Sequence, residues 1–192
     1  MYTSTETADQ ILSVAIAAVE RAADDLFTTL DALAAPIYVT DADGVITHFN
    51  PACIGFAGRT PAVGKDRWCV TWKLYTHQGE FLPHDQCPMA VAIRQKRAVR
   101  GVTAVAERPD GARVTFLPFP TPLLDETGEL RGAINLLIDV TDSRQIEELR
   151  GQASRCRRLA DGVGDRRAID TLSLMAAEYD AEADARERAG AA

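Results

Sequence analysis

The first extended pattern along the chain is helical. Apolar side chains fall at Leu12, Ile16, Val19, Ala23, Leu26, Leu30 and Leu33, in alternating steps of four and three that draw one stripe down a helix face. Three heptads of stripe suit two partners, the sheet of the same domain or the matching helix of a second copy. At Pro36 the period changes. "PIYVTDADGVITHFN" contains two β-branched and aromatic runs about an Asp-Ala-Asp-Gly turn, which predicts a β-hairpin. Asn50-Pro51 then reads as an N-cap followed by proline at the first helical position, with Gly58 closing a short helix.

Residues 59–98 lose regular alternation. Gly64, Gly79, Pro83 and Pro88 punctuate short pieces, the last of which, "PMAVAIRQKR", opens on proline and ends in cations as a helix does. Strand patterns return in "VRGVTAVAERPDG", "ARVTFLPFPTPLLDETG" and "ELRGAINLLIDVT", joined by turn signals. A lone hairpin is marginally stable, so the two strand groups share one sheet. The expectation is an α+β domain with a five-stranded antiparallel sheet and small helices on one face. Past Thr141, Ile146, Leu149, Ala153, Cys156 and Ala160 form one helical seam and Ile169, Leu172, Ala176, Tyr179 and Ala183 a second. Gly162-Val163-Gly164 lies between them, which predicts an antiparallel helical hairpin with a fraying end at "ARERAGAA". The chain thus divides into a leading amphipathic helix (1–33), a sheet domain (34–141) and a helical hairpin (142–192).

Composition narrows the function. With 46% hydrophobic residues in 192, the chain can bury a sizeable core. A net charge of −7 argues against nucleic acid as the main partner. The N-terminus has no basic region, and the apolar stretch after it is broken by Glu20, Arg21, Asp24 and Asp25. These features predict a cytoplasmic protein with no membrane span. Four cysteines far apart, without a Cys-x-x-Cys pair, read as reduced buried thiols. Eighteen arginines against three lysines, with abundant alanine, hint at a GC-rich bacterial genome. No phosphate loop, nucleophile elbow or zinc-protease helix is present, and residues 142–192 contain no histidine to accept a phosphate, so the expectation is a non-enzymatic protein. Asp41, Asp43, Glu107, Asp110 and Asp125 all fall at turns or strand ends and read as turn formers.

The order of elements, together with "DADGVITHFNPAC", the Cys-Pro-Met opening of a helix and the closing "DVT" before the next helix, resembles a PAS domain over residues 34–141. That resemblance implies a sensory module whose sheet and small helices enclose a pocket, with a cue in the pocket altering the last strand and the helix that leaves it. Asp139 would anchor the strand end, and Thr141 or Asp142 would cap the emerging helix. Alternation, counted back from the "DVT" ending, turns Ala104, Ala106, Phe116, Pro118, Ala133, Asn135 and Leu137 inward as pocket candidates, mostly apolar, with Asn135 as the polar anchor. A small apolar ligand or a filled core fits this set equally.

The light-sensing branch of the family carries a "GRNCRFLQ" segment whose cysteine bonds flavin. The matching stretch here, "GKDRWCVT", has Arg67 in the cysteine's place and Cys69 two positions late, with Phe116 and Leu137 where flavin-binding amides would stand. Unpaired polar edges of flavin against hydrocarbon would cost about 1–3 kcal/mol each, which argues against flavin. Haem is the alternative cofactor, with His84 as a displaced axial ligand just ahead of the helix that usually supplies it. His77, His84, Asp85 and Cys87 match no metal-ligand spacing. No cofactor is required. The reading is a homodimer formed along Leu12, Ile16, Val19, Ala23, Leu26 and Leu30, with a signalling protein docked on the helical hairpin.

Overall fold

The computed structural model describes Gln10, Leu12, Ser13, Ile16 and residues 26–190. Two compact units divide at Asp139/Val140.

In the first unit, helix α1 (Leu26–Asp31) precedes the hairpin β1 (Ile37–Asp41) and β2 (Ile46–Phe49). Asp41 forms the turn as its position predicts, its Oδ1 accepting from the N–H groups of Asp43 at 3.0 Å and Val45 at 2.9 Å. Helix α2 (Ala52–Ala57) ends at Gly58, whose φ of +64° is the left-handed conformation that closes helices. Strand β3 (Lys73–Thr76), a 3₁₀ turn (His84–Gln86) and helix α3 (Pro88–Gln95) follow. The chain then forms β4 (Ala104–Glu107), β5 (Arg113–Pro118), β6 (Thr121–Leu124) and β7 (Leu130–Asp139).

These seven strands make one antiparallel sheet in the order β2-β1-β7-β5-β4-β3, with β6 also paired to β7. Two features separate this from the five strands expected. The long strand before the last turn breaks at Phe119-Pro120 into β5 and β6, both paired with β7. The irregular region also contributes β3 as an edge strand against β4. Gly132 lies opposite Asp41 in the β1–β7 ladder, and a Cβ there would collide with the carbonyl oxygen of Thr40.

Alternation along the strands sends side chains to two cores. On one face Tyr38, Phe116, Ala133 and Leu137 meet Cys53 and Phe56 of α2 and Met89, Ala90 and Ile93 of α3. On the other, Ile37, Phe119, Ile134 and Leu136 are covered by Leu12 and Leu30, with Ile16 and Leu33 packed alongside. Of the stripe read as a dimer interface, then, Leu12 and Leu30 are buried in their own domain and Ile16 is half-buried there. Leu12 and Leu30 thus pack against the sheet of their own domain. Val19 and Ala23 lie outside the described residues, as does the side chain of Leu26.

The second unit is the expected hairpin of α4 (Thr141–Gly162) and α5 (Arg166–Gly190). Ala153, Cys156 and Ala176 are its buried seam, with Leu172 and Tyr179 against them. Arg150 pairs with Asp184 and Glu187, and Arg157 with Asp180, which fixes the antiparallel register. The helix is described to Gly190, within the stretch expected to fray, whose last two residues lie outside the described residues. Among the described residues no helix is long and apolar enough to cross a membrane.

Candidate functional site

Asn50, fully buried, organises the entry to the sheet. Its Oδ1 accepts from the Ile37 N–H at 3.0 Å, and its Nδ2 donates to the carbonyls of Leu30, Leu33 and Ala35 at 3.2, 2.9 and 2.9 Å. The sequence assigned this side chain to capping α2. Instead the cap position is Pro51, without a side-chain hydrogen bond, and Asn50 ties down the carbonyls of the segment where the leading helix ends.

A second buried amide organises the interior. Asn135 on β7 stands opposite Tyr38 on β1, and its Nδ2 donates to Tyr38 Oη at 3.0 Å. Its Oδ1 accepts from the N–H of Phe119 at 2.9 Å, at the break between β5 and β6. Tyr38 Oη donates onward to the carbonyl of Trp68 at 2.8 Å. Trp68 has φ +71°, a strained conformation for so bulky a residue. Its backbone is held by an N–H donated to the Gly44 carbonyl at 2.7 Å, and its ring lies where a Cβ on Gly44 would be. Beside this chain, Thr71 Oγ1 donates to Cys69 Sγ at 3.2 Å and lies 3.4 Å from His84 Nε2. Cys87 Sγ is 3.9 Å from the Trp68 carbonyl. Burial pushes the Tyr38 hydroxyl and the Cys69 thiol up, and the Cys53 and Cys87 thiols up to about 12; it lowers His84. The thiols are therefore neutral at pH 7 and poor nucleophiles. Thr40 Oγ1, on the same sheet face, is buried with no hydrogen-bond partner in the structure.

The seven pocket candidates are all buried. Ala104, Ala106, Phe116, Ala133 and Leu137 belong to one packed cluster that Phe56, Met89 and Ile93 complete from the helical side. Pro118 pairs with Leu137 in the ladder, and Asn135 has both ends of its amide engaged. The residues do not fit flavin. Phe116 stacks edge-on against Phe56 at 5.2 Å, Leu137 is apolar, Asn135 is committed to its neighbours, and Cys69 is a neutral thiol bonded to Thr71. Nor do they fit haem, since His84 faces Thr71 from a 3₁₀ turn and α3 carries no histidine. Among the described residues no group of three or more His, Cys, Asp or Glu is placed to hold a metal.

Other sequence-marked residues have local partners. His48 Nε2 lies 3.0 Å from Asp31 Oδ1, and its ring stacks on Phe27. Asp110 and Asp125 form turns as expected, through the N–H of Ala112 and those of Thr127 and Glu129. Glu107 departs from that role. It bridges Lys73 of β3 and Arg113 of β5 across the sheet edge, and those two cations hold its carboxyl below the usual range.

At the end of β7, Asp139 pairs opposite Phe116, and Val140 alone separates the strand from α4. The cap position is Val140, which has no side-chain cap bond. Thr141 is the first helical residue, Asp142 stands in the first turn where the helix dipole favours an acid, and the Arg144 N–H donates to the Val140 carbonyl at 3.0 Å.

The sheet domain is a hairpin-led antiparallel sheet with small helices on one face. Residues 30–145 match the family model described as PAS fold, more than half of the chain, and the protein belongs to that family. No curated protein sequence matches the chain. Solved structures to which the chain is similar include an RNA-binding Light-Oxygen-Voltage receptor, at 23% identity and TM-score 0.46, covering 60% of this chain. This chain spans only 32% of that receptor. The Rhodobacter sphaeroides LOV protein matches at 15% identity and TM-score 0.45 over 94% of this chain and 98% of its own. The PAS domain of the fruit-fly ELK potassium channel matches at 14% identity and TM-score 0.45, over 62% and 96%.

Proposed function

We propose that this PAS-fold protein is a non-enzymatic sensory and interaction module, in which a cue received by the sheet domain alters the helical hairpin and so its binding to a signalling protein. The observation that carries this reading is the single residue, Val140, between β7 and α4. Asn135, on the same strand, ties β7 to Tyr38 of β1 and to the β5–β6 break, so a change in the sheet is felt along β7. Exposed Leu159, Leu174 and Met175 give the hairpin an apolar surface for a partner. Self-association belongs to the same reading, through surface other than Leu12 and Leu30.

The test is direct. Full-length protein purified from cells is expected to be colourless. A Soret band or flavin absorption in the blue would replace this reading with a cofactor-bearing sensor. Light scattering of the full chain is expected to give twice the chain mass, and the monomer mass would remove self-association.

A further inference from the structure

The interior face that the sequence marks as a pocket is occupied by packed side chains, but a concave site exists elsewhere in the same unit. A groove of about 320 Å³ opens between the turn after β3, the outer side of α3 and the segment that leads into β4. Its apolar lining is Leu82, Pro88, Val91, Val99 and Val102. Pro88 and Val91, three residues apart, share one stripe of α3, while Met89, Ala90 and Ile93 face the core from the opposite stripe. The rim carries His77, Gln78, Gln86 and two threonines, and no carboxylate, ammonium or guanidinium lines it.

That lining selects a class of ligand. The volume falls in the range of small-molecule sites, and an apolar lining with a few amides and hydroxyls at the edge is their usual composition. A charged ligand would leave water for this surface without a counter-charge, which is costly. A protein segment would find a short concavity with no ionic rim to fix its register. We propose that this groove binds a neutral, largely apolar small molecule, whose polar atoms bond the rim amides and His77. The proposal deepens the sensory reading and rests on it for its purpose. Occupancy would press on α3, whose other stripe packs against Ala104 and Ala106 of the sheet.

The experiment is a titration of the uniformly ¹⁵N-labelled full chain with three aromatic probes of similar size, indole, benzoate and benzylammonium. Indole is expected to shift the amides of Val91, Val102 and Thr103 saturably, with at least tenfold weaker effects from both ions. Val102→Glu, at an exposed position, is expected to weaken indole binding at least tenfold while leaving the rest of the spectrum in place. Gln78→Ala, in the turn, is expected to weaken it severalfold. Equal binding of the ions, indole shifts centred on Ala133 to Leu137, or shifts of the groove amides with protein concentration alone would each overturn the proposal. The last result would make the groove a protein interface. A colourless protein that fails to bind indole would overturn the groove while leaving the sensory reading standing.

Discussion

Asn135 donates to the hydroxyl of Tyr38 at 3.0 Å, and the two side chains face each other across β7 and β1 inside the core. The tyrosine passes the interaction on to the Trp68 carbonyl. Tyr38→Phe keeps the ring and removes the oxygen, leaving a buried amide donor and a buried carbonyl without that partner. Urea unfolding is expected to register a loss of about 1–3 kcal/mol. A neutral substitution would mean that water or another group already satisfies both.

Asn50 serves four backbone groups at once, so its truncation should be worse than that of most surface asparagines. Asn50→Ala is expected to cost about 3 kcal/mol in the same assay. Proteolysis should begin in the segment between α1 and β1, where the Leu33 and Ala35 carbonyls would lose their donor.

Gly132 is required for space. Because a Cβ would meet the Thr40 backbone and not a movable side chain, Gly132→Ala must part β1 from β7. A loss of about 2 kcal/mol or more is expected. Gly151→Ala, on α4 with nothing within 4 Å, is expected to be neutral or slightly stabilising.

The buried thiols set an alkaline limit. In the unfolded chain a thiol ionises near its ordinary value of about 8.5, whereas Cys53 and Cys87 are held neutral in the fold up to about 12. Above the unfolded value the unfolded state binds fewer protons than the native one. Stability contributed by these groups is therefore complete below that pH and lost as pH rises toward 12, by about 1.4 kcal/mol per pH unit for each thiol. His84 acts in the opposite sense. Its lowered value means that stability present above about 6.5 falls as the pH drops below it. Chemical denaturation between pH 5 and 11 checks both limbs, and a flat alkaline limb would show the thiols to be solvated.

Much of the fold was legible because strand and helix periods differ and turn residues mark their ends. The hairpin about Asp41, the glycine closing α2, the strands bearing Ala104, Phe116 and Asn135, and the two seams of the C-terminal hairpin all follow from local pattern. What escaped was nonlocal. Lys73–Thr76 is a four-residue edge strand, too short and too polar to stand out, and its pairing with β4 lies some thirty residues away. Asn50 precedes a proline at a helix start, which is the ordinary signal of a cap. Only the folded chain brings Leu30, Leu33 and Ala35 to it. Alternation identified which side chains point inward but not whether α2 and α3 fill the space between them. The stripe from Leu12 to Leu33 likewise says that a helix face is covered, and not by what.

Coupling between β7 and α4 is tested most directly by amide hydrogen exchange on the full chain carrying Asn135→Leu, with Asn50→Ala as a destabilised control whose lesion lies at the start of β1. Exchange at Arg144 to Glu148 is expected to rise at least tenfold in the Asn135 variant and to stay near wild type in the control, with the amides around Ala176 unchanged in both. Faster exchange confined to residues before Val140 in the Asn135 variant would contradict transmission from the sheet into the helix.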